Sequence, residues 1–123
     1  IDNDDFREVL GAVTKGHPPI RPFTLKITDT AHPITKGVKD FVITDEQHFL
    51  DYQIDPKYTF MRSINTDGLT HEAEGMGSSC EAGWARELGN GKVCFLAPGH
   101  TIDVLWNPEY IKLQKNAINW LLL

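Results

Sequence analysis

The segment from Asn107 to Leu121 constrains this chain more than any other. Asn107 is placed to cap a helix, Pro108 takes its first position and Glu109 falls in its first turn, the combination that marks a helix start. Behind it Tyr110, Leu113, Ala117 and Trp120 recur at helical spacing, widened by Ile111, Ile118 and Leu121. A single apolar stripe of this kind is the signature of a helix packed on a core. It does not suit a membrane span or a free partner helix.

The strands that supply such a core are legible upstream. Gly89-Asn90-Gly91 separates Trp84–Leu88 from Lys92–Ala97, a hairpin signal in which glycine supplies the positive φ of the turn. Phe23, Leu25 and Ile27 alternate with Thr24, Lys26 and Thr28, which predicts a strand with one buried face. Phe41-Val42-Ile43-Thr44 is a short strand that delivers Asp45 and Glu46 at its C-terminal end, and Thr59 to Ile64 reads as another. Near the start, Asn3 caps a short helix with Asp4 and Asp5 in its first turn; Phe6, Val9 and Leu10 share a face, and Gly11 ends it. The proline-rich stretches at Gly16–Pro19 and Arg21-Pro22 are irregular, His32–Gly37 is a turn or a single helical turn, and residues 65–83 read as a long polar loop.

At 123 residues the chain makes one domain. Its net charge of −5, with Lys15, Arg21, Lys26, Lys36 and Lys39 scattered among apolar residues, argues against a nucleic-acid partner. No stretch is apolar and long enough to cross a membrane, and the composition is that of a soluble globular protein. The cysteines suit neither a disulfide scaffold nor a CxxC site. Cys94, in the run Val93–Leu96, is expected to be a buried hydrophobe, and Cys80, in a Gly/Ser-rich segment, to be exposed. Neither has an adjacent base to make it a nucleophile.

The order helix, strands, hairpin, helix lacks the repeated βαβ units of a parallel sheet, so the chain reads as the second half of an α/β domain. Four segments together resemble the trehalose-utilisation (ThuA-like) family: Phe6–Gly11 followed by His17-Pro18; His32–Gly37 leading to Phe41 and Asp45-Glu46; Trp84–Val93; and Pro98-Gly99-His100 with Asn116–Trp120. The resemblance spans nearly the whole chain. It implies an α/β, flavodoxin-like three-layer fold of the class I glutamine amidotransferase superfamily, with residues 1–123 as the C-terminal part of a single domain. It also implies an N-terminal half, with the first parallel strands and a Gly-rich turn ending in histidine, that this chain does not carry. A partner chain or homo-oligomer is therefore expected to complete the fold. The setting it implies is the bacterial cytoplasm, and the chemistry proton transfer on a keto-sugar or glycoside. Where the family commonly shows an aromatic residue two positions after the glutamate, this chain has His48.

The candidate catalytic residues are Glu46, His100 and Asp45. His100 follows a strand and a glycine, in a loop expected to open where α/β proteins place ligands. It can serve as a base, a metal ligand or a loop-holding hydrogen bond. Asp45 and Glu46 form a carboxylate pair suited to acid/base work on a sugar, the plain alternative being that Asp45 caps the following segment and Glu46 is solvated. His17, Trp84 and Arg86 are candidate substrate contacts; Trp84 fits a strand core equally well. His17, Glu46 and His100 are also the candidate ligands for a divalent metal such as zinc. His32 is expected to cap its turn, and His48 and His71 to lie on the surface. Two rivals stand beside a sugar acid/base enzyme: a non-catalytic carbohydrate-binding or protein-interaction module, in which these groups point apart, and a metal-dependent hydrolase.

Overall fold

A computed structural model describes residues 3–66 and 77–123. A short helix, α1 (Asp4–Leu10), opens the chain, followed by the strands β1 (Ala12–Gly16), β2 (Arg21–Ile27), β3 (Phe41–Asp45), β4 (Phe49–Tyr52), β5 (Thr59–Asn65), β6 (Ser79–Leu88) and β7 (Gly91–Leu96). A single helical turn, α2 (Ile102–Leu105), and the long helix α3 (Pro108–Leu122) close it. Five strands form one sheet in the order β3-β2-β5-β6-β7, and β1 pairs with β4 in a separate ribbon. Every described pairing is antiparallel. The domain is thus mixed α/β, and the parallel strands of a flavodoxin-like sheet are not among the described pairings.

The apolar alternation does what its period requires. Phe23, Leu25 and Ile27 of β2 and Phe41 and Ile43 of β3 all face one core, where they meet Phe60 and Met61 of β5, Ala82 and Ala85 of β6, and Tyr110, Leu113 and Ala117 of α3. Phe60 and Met61 are adjacent yet both buried, because the β5–β6 register shifts on either side of Met61; such a bulge turns two consecutive side chains the same way. The cap of α3 forms as expected, with Asn107 Oδ1 accepting from Glu109 N–H at 3.0 Å and Tyr110 N–H at 3.3 Å. Its apolar stripe is narrower than the sequence suggests: Tyr110, Leu113 and Ala117 are buried, whereas Ile118 and Leu121 face outward. Asn116 occupies part of the packed side instead, donating to the carbonyls of Ile34 and Lys36.

The turn of the hairpin forms at Gly89, where φ is +58°. β6 runs further back than expected, from Ser79, so residues 79–83 of the anticipated polar loop are strand; residues 67–76, His71 included, lie outside the described residues. This places Cys80 in a buried strand position, correcting the expectation of exposure. Two strands, β1 and β4, carry too little alternation to be announced by the sequence. α1 forms with Asn3 Oδ1 accepting from Phe6 N–H, but none of its residues is buried, and Phe6 remains 61% exposed. None of the described helices is long and apolar enough to cross a membrane.

His32 caps the turn before β3 through Nδ1, which accepts the Ile34 N–H at 3.1 Å while the ring stacks on Phe60. Burial lowers its pKa below the ordinary 6.5, outweighing the opposing pull of Asp29. The unfolded chain then binds this proton more tightly than the folded one, so stability is full above about pH 6.5 and falls as the pH drops below it. Urea unfolding at about pH 5 and about pH 7.5 should show this loss. His32→Asn, which keeps a cap acceptor without titrating, should shrink it; an equal loss in the variant would remove His32 as the cause.

Candidate functional site

The site is assembled at the end of β3. Alternation sends Asp45 inward with Phe41 and Ile43, and the same two-residue period continues past the strand, with Asp45, Gln47 and Phe49 buried and Glu46, His48 and Leu50 on the opposite side. Asp45 is fully buried. Its Oδ2 accepts the N–H groups of Gly99 at 2.9 Å and His100 at 3.3 Å, and its Oδ1 that of Thr101 at 3.1 Å. The Thr101 hydroxyl donates to the Thr44 carbonyl, and the Tyr110 hydroxyl to that of Pro98 at 2.7 Å. Burial, with Asp45 nearby as a lesser cause, pushes the Tyr110 phenol well above its ordinary pKa, so it stays a donor. The loop that carries His100 is thereby tied to β3 at three successive residues and to α3 at the residue before them. Gly99 adopts φ +151° there, a conformation side chains disfavour.

Glu46 is the focus. Its Oε2 lies 3.0 Å from His100 Nδ1, 3.4 Å from His48 Nε2 and 3.5 Å from His17 Nε2. His17 and His48 arrive together because β1 and β4 pair, with Gly16 opposite Phe49 and a register shift just before it. Their rings meet edge to face at 4.9 Å. Bulges commonly re-aim side chains beside functional sites.

The tautomer of His17 is informative. Its Nδ1 lies 2.9 Å from the Pro18 carbonyl oxygen, which can only accept, so Nδ1 carries a proton. A neutral ring would then turn the lone pair of Nε2 toward the Glu46 carboxylate.

The remaining candidates lie elsewhere. Trp84 is fully buried, stacked on Phe95 at 4.1 Å, with its indole N–H donating to the Leu10 carbonyl. It is a core residue and cannot stack on a sugar as placed. Arg86 donates to the carbonyls of Glu8 and Val9, closing the C-terminal end of α1, where a cation is favoured. Both side chains, expected to contact a sugar, are here engaged with the carbonyls that end α1. Asp45, its oxygens taken by backbone N–H groups, holds the loop. His48, expected at the surface, joins the cluster; the signal for it was the two-residue step from Glu46, visible only once the extended backbone was known to continue. The thiols offer no nucleophile. Burial raises the pKa of Cys80, and raises that of Cys94 to about 11. Among the described residues no three carboxylate, imidazole or thiol groups stand arranged around a metal site; the imidazoles converge on the carboxylate oxygen itself.

Asp45→Asn replaces a carboxylate oxygen with a donor facing donors. Charge-assisted hydrogen bonds contribute about 1.5–3 kcal/mol each, so we expect a loss of roughly 3 kcal/mol in urea unfolding. A loss under about 1 kcal/mol would mean that the loop is held by something else.

Comparison with curated proteins finds no match. The family described as trehalose utilisation matches residues 1–121, essentially the whole chain. The Glu46, His17 and Pro98–His100 segments that form the cluster are among those that carried the resemblance, and the chain belongs to the ThuA family of trehalose-utilisation, sugar-metabolism proteins.

Proposed function

We propose that Glu46 and its three histidines form an acid/base site acting on a keto-sugar or related glycoside. The observation that carries this reading is the convergence of His17, His48 and His100 on one carboxylate oxygen. A binding module has no need to gather proton carriers from separate segments of chain, and chance surface histidines do not share one partner. In this reading Glu46 removes the proton from the carbon next to the sugar carbonyl. The electron pair moves to the carbonyl oxygen, an imidazolium of the cluster gives that oxygen a proton, and an enediol results. Return of a proton to the former carbonyl carbon, with the hydroxyl proton of the first carbon passing back to the cluster, completes an isomerisation; return to the first carbon, with the proton of the newly formed hydroxyl given back, completes an exchange with solvent. Imidazole and carboxylate suit both directions at neutral pH. Asp45 is a positioning residue here, since it fixes the backbone of His100.

The finer fold assignment belongs to the same proposal. In a flavodoxin-like, amidotransferase-like arrangement further strands, from this protein or a partner chain, would extend the sheet; the support is that β7 pairs on one side only among the described strands.

The test is deuterium exchange. A keto-glucoside incubated with the protein in heavy water should lose the proton NMR signal of the carbon beside its carbonyl. Glu46→Gln should slow that loss by at least about a hundredfold, the usual contribution of a positioned base. Exchange that is unaffected by Glu46→Gln would sink the assignment. A second reading, a metal-dependent hydrolase, is favoured by one observation: the Nδ1–H of His17 rests on a carbonyl, as in imidazoles that bind metal through the other nitrogen. Zinc retained at one equivalent after dialysis, and lost in His100→Ala, would favour it over the metal-free reading.

A further inference from the structure

Beside the cluster lies a cleft of ≈ 580 Å³ that the acid/base chemistry does not use. Its walls are mostly apolar, with Phe6 and Leu10 of α1, Val13 of β1, Leu50 of β4 and Phe95 of β7 the principal ones, and it falls within the usual size of a small-molecule site. We propose that this cleft is a subsite for the apolar aglycone of a glycoside whose sugar ring sits at Glu46. The inference rests on the acid/base reading and adds the substrate class to it.

Continuity with the cluster is the main argument. His48 lines the cleft and is also within 3.4 Å of Glu46 Oε2. Ala97, on the same wall, leads directly into the Pro98–His100 loop. Glu46, His48 and Leu50 lie on one side of an extended segment, and residues two apart there are about 7 Å apart. A ligand following that line passes from a carboxylate, through an imidazole, to an aliphatic side chain within the length of a sugar and its substituent. The wall of α1 gives independent support. Phe6 is 61% exposed although the helix presents an apolar face, and the helix is held over the cleft by hydrogen bonds from Trp84 and Arg86 to its last carbonyls. The sheet positions the helix, yet leaves its apolar side chains facing open space. Asn3, Arg7, Thr14 and His48 are the polar minority of its lining, so a second sugar would give up hydroxyl hydration over most of the cleft, whereas an aryl or alkyl group loses none.

The experiment compares two keto-glucosides that differ only in aglycone, methyl against phenyl, in the deuterium-exchange assay. Burial of a phenyl group predicts a preference in kcat/KM of about tenfold or more for the phenyl compound. Phe6→Ala, on an exposed helix position, should reduce that preference. Equal rates for the two compounds would overturn the subsite while leaving the acid/base reading intact. Loss of exchange with both would sink that reading instead, and the subsite then stands or falls on binding alone. Phenyl glucoside added to the ¹⁵N-labelled chain should shift the amides of Val13, Leu50 and Phe95, and shift them less in Phe6→Ala. No shift at these amides, as expected if another stretch of protein fills the cleft, would overturn the proposal.

Discussion

The buried carboxylate of Asp45 is the contact on which the rest of the arrangement depends. A lone charge taken out of water at the end of a strand is strongly unfavourable. It is offset here by three backbone N–H groups from consecutive residues, Gly99, His100 and Thr101, bonds of the stronger, charge-assisted kind. The consequence is geometric as well as energetic. The loop after β7 is locked to the end of β3, two strands that lie at opposite edges of the five-strand sheet. His100 and Glu46, far apart in sequence, therefore become neighbours, with Nδ1 and Oε2 3.0 Å apart.

A second device brings in the other two histidines. β1 and β4 form a ribbon outside the main sheet, and its pairing sets His17 against His48 at one end. Gln47, between Glu46 and His48, faces the other way, where it is buried; it accepts from Arg21 and donates to Ser63. The segment 45–49 is thus held from its inner side by Asp45 and Gln47, while its outer side is free to carry chemistry. A site whose side chains are supported in this way keeps its geometry without reorganisation when a ligand arrives.

Other residues with sugar-binding chemistry are engaged in holding the fold. Trp84 and Arg86 have the composition of a sugar-binding pair, yet both are committed to the carbonyls that end α1. They shape the cleft from behind by placing Phe6 and Leu10 over it. Cys80 and Cys94 are held as thiols by burial. Among the described residues, imidazoles of three segments meet at Glu46.

Much of the fold was legible because it follows local rules. The cap of α3 and the centre of its stripe, the hairpin at Gly89, the alternation of β2 and β3 and the cap of α1 each depend on residues a few positions apart, and each appears in the structure. So does the inward turn of Asp45, in step with Phe41 and Ile43. The sequence by itself also determined that Glu46 leaves a strand end and that His100 follows one, and it carried the family resemblance. Only tertiary structure decided the rest. β1 and β4 are short, with weak alternation, and exist because they pair with each other across more than thirty residues; without that pairing His48 reads as a surface residue. The burial of Trp84, the capping role of Arg86 and the strand position of Cys80 likewise depend on partners distant in the chain. Periodicity reports which way a side chain points from its own backbone, and it carries no information about which other backbone will be there to meet it.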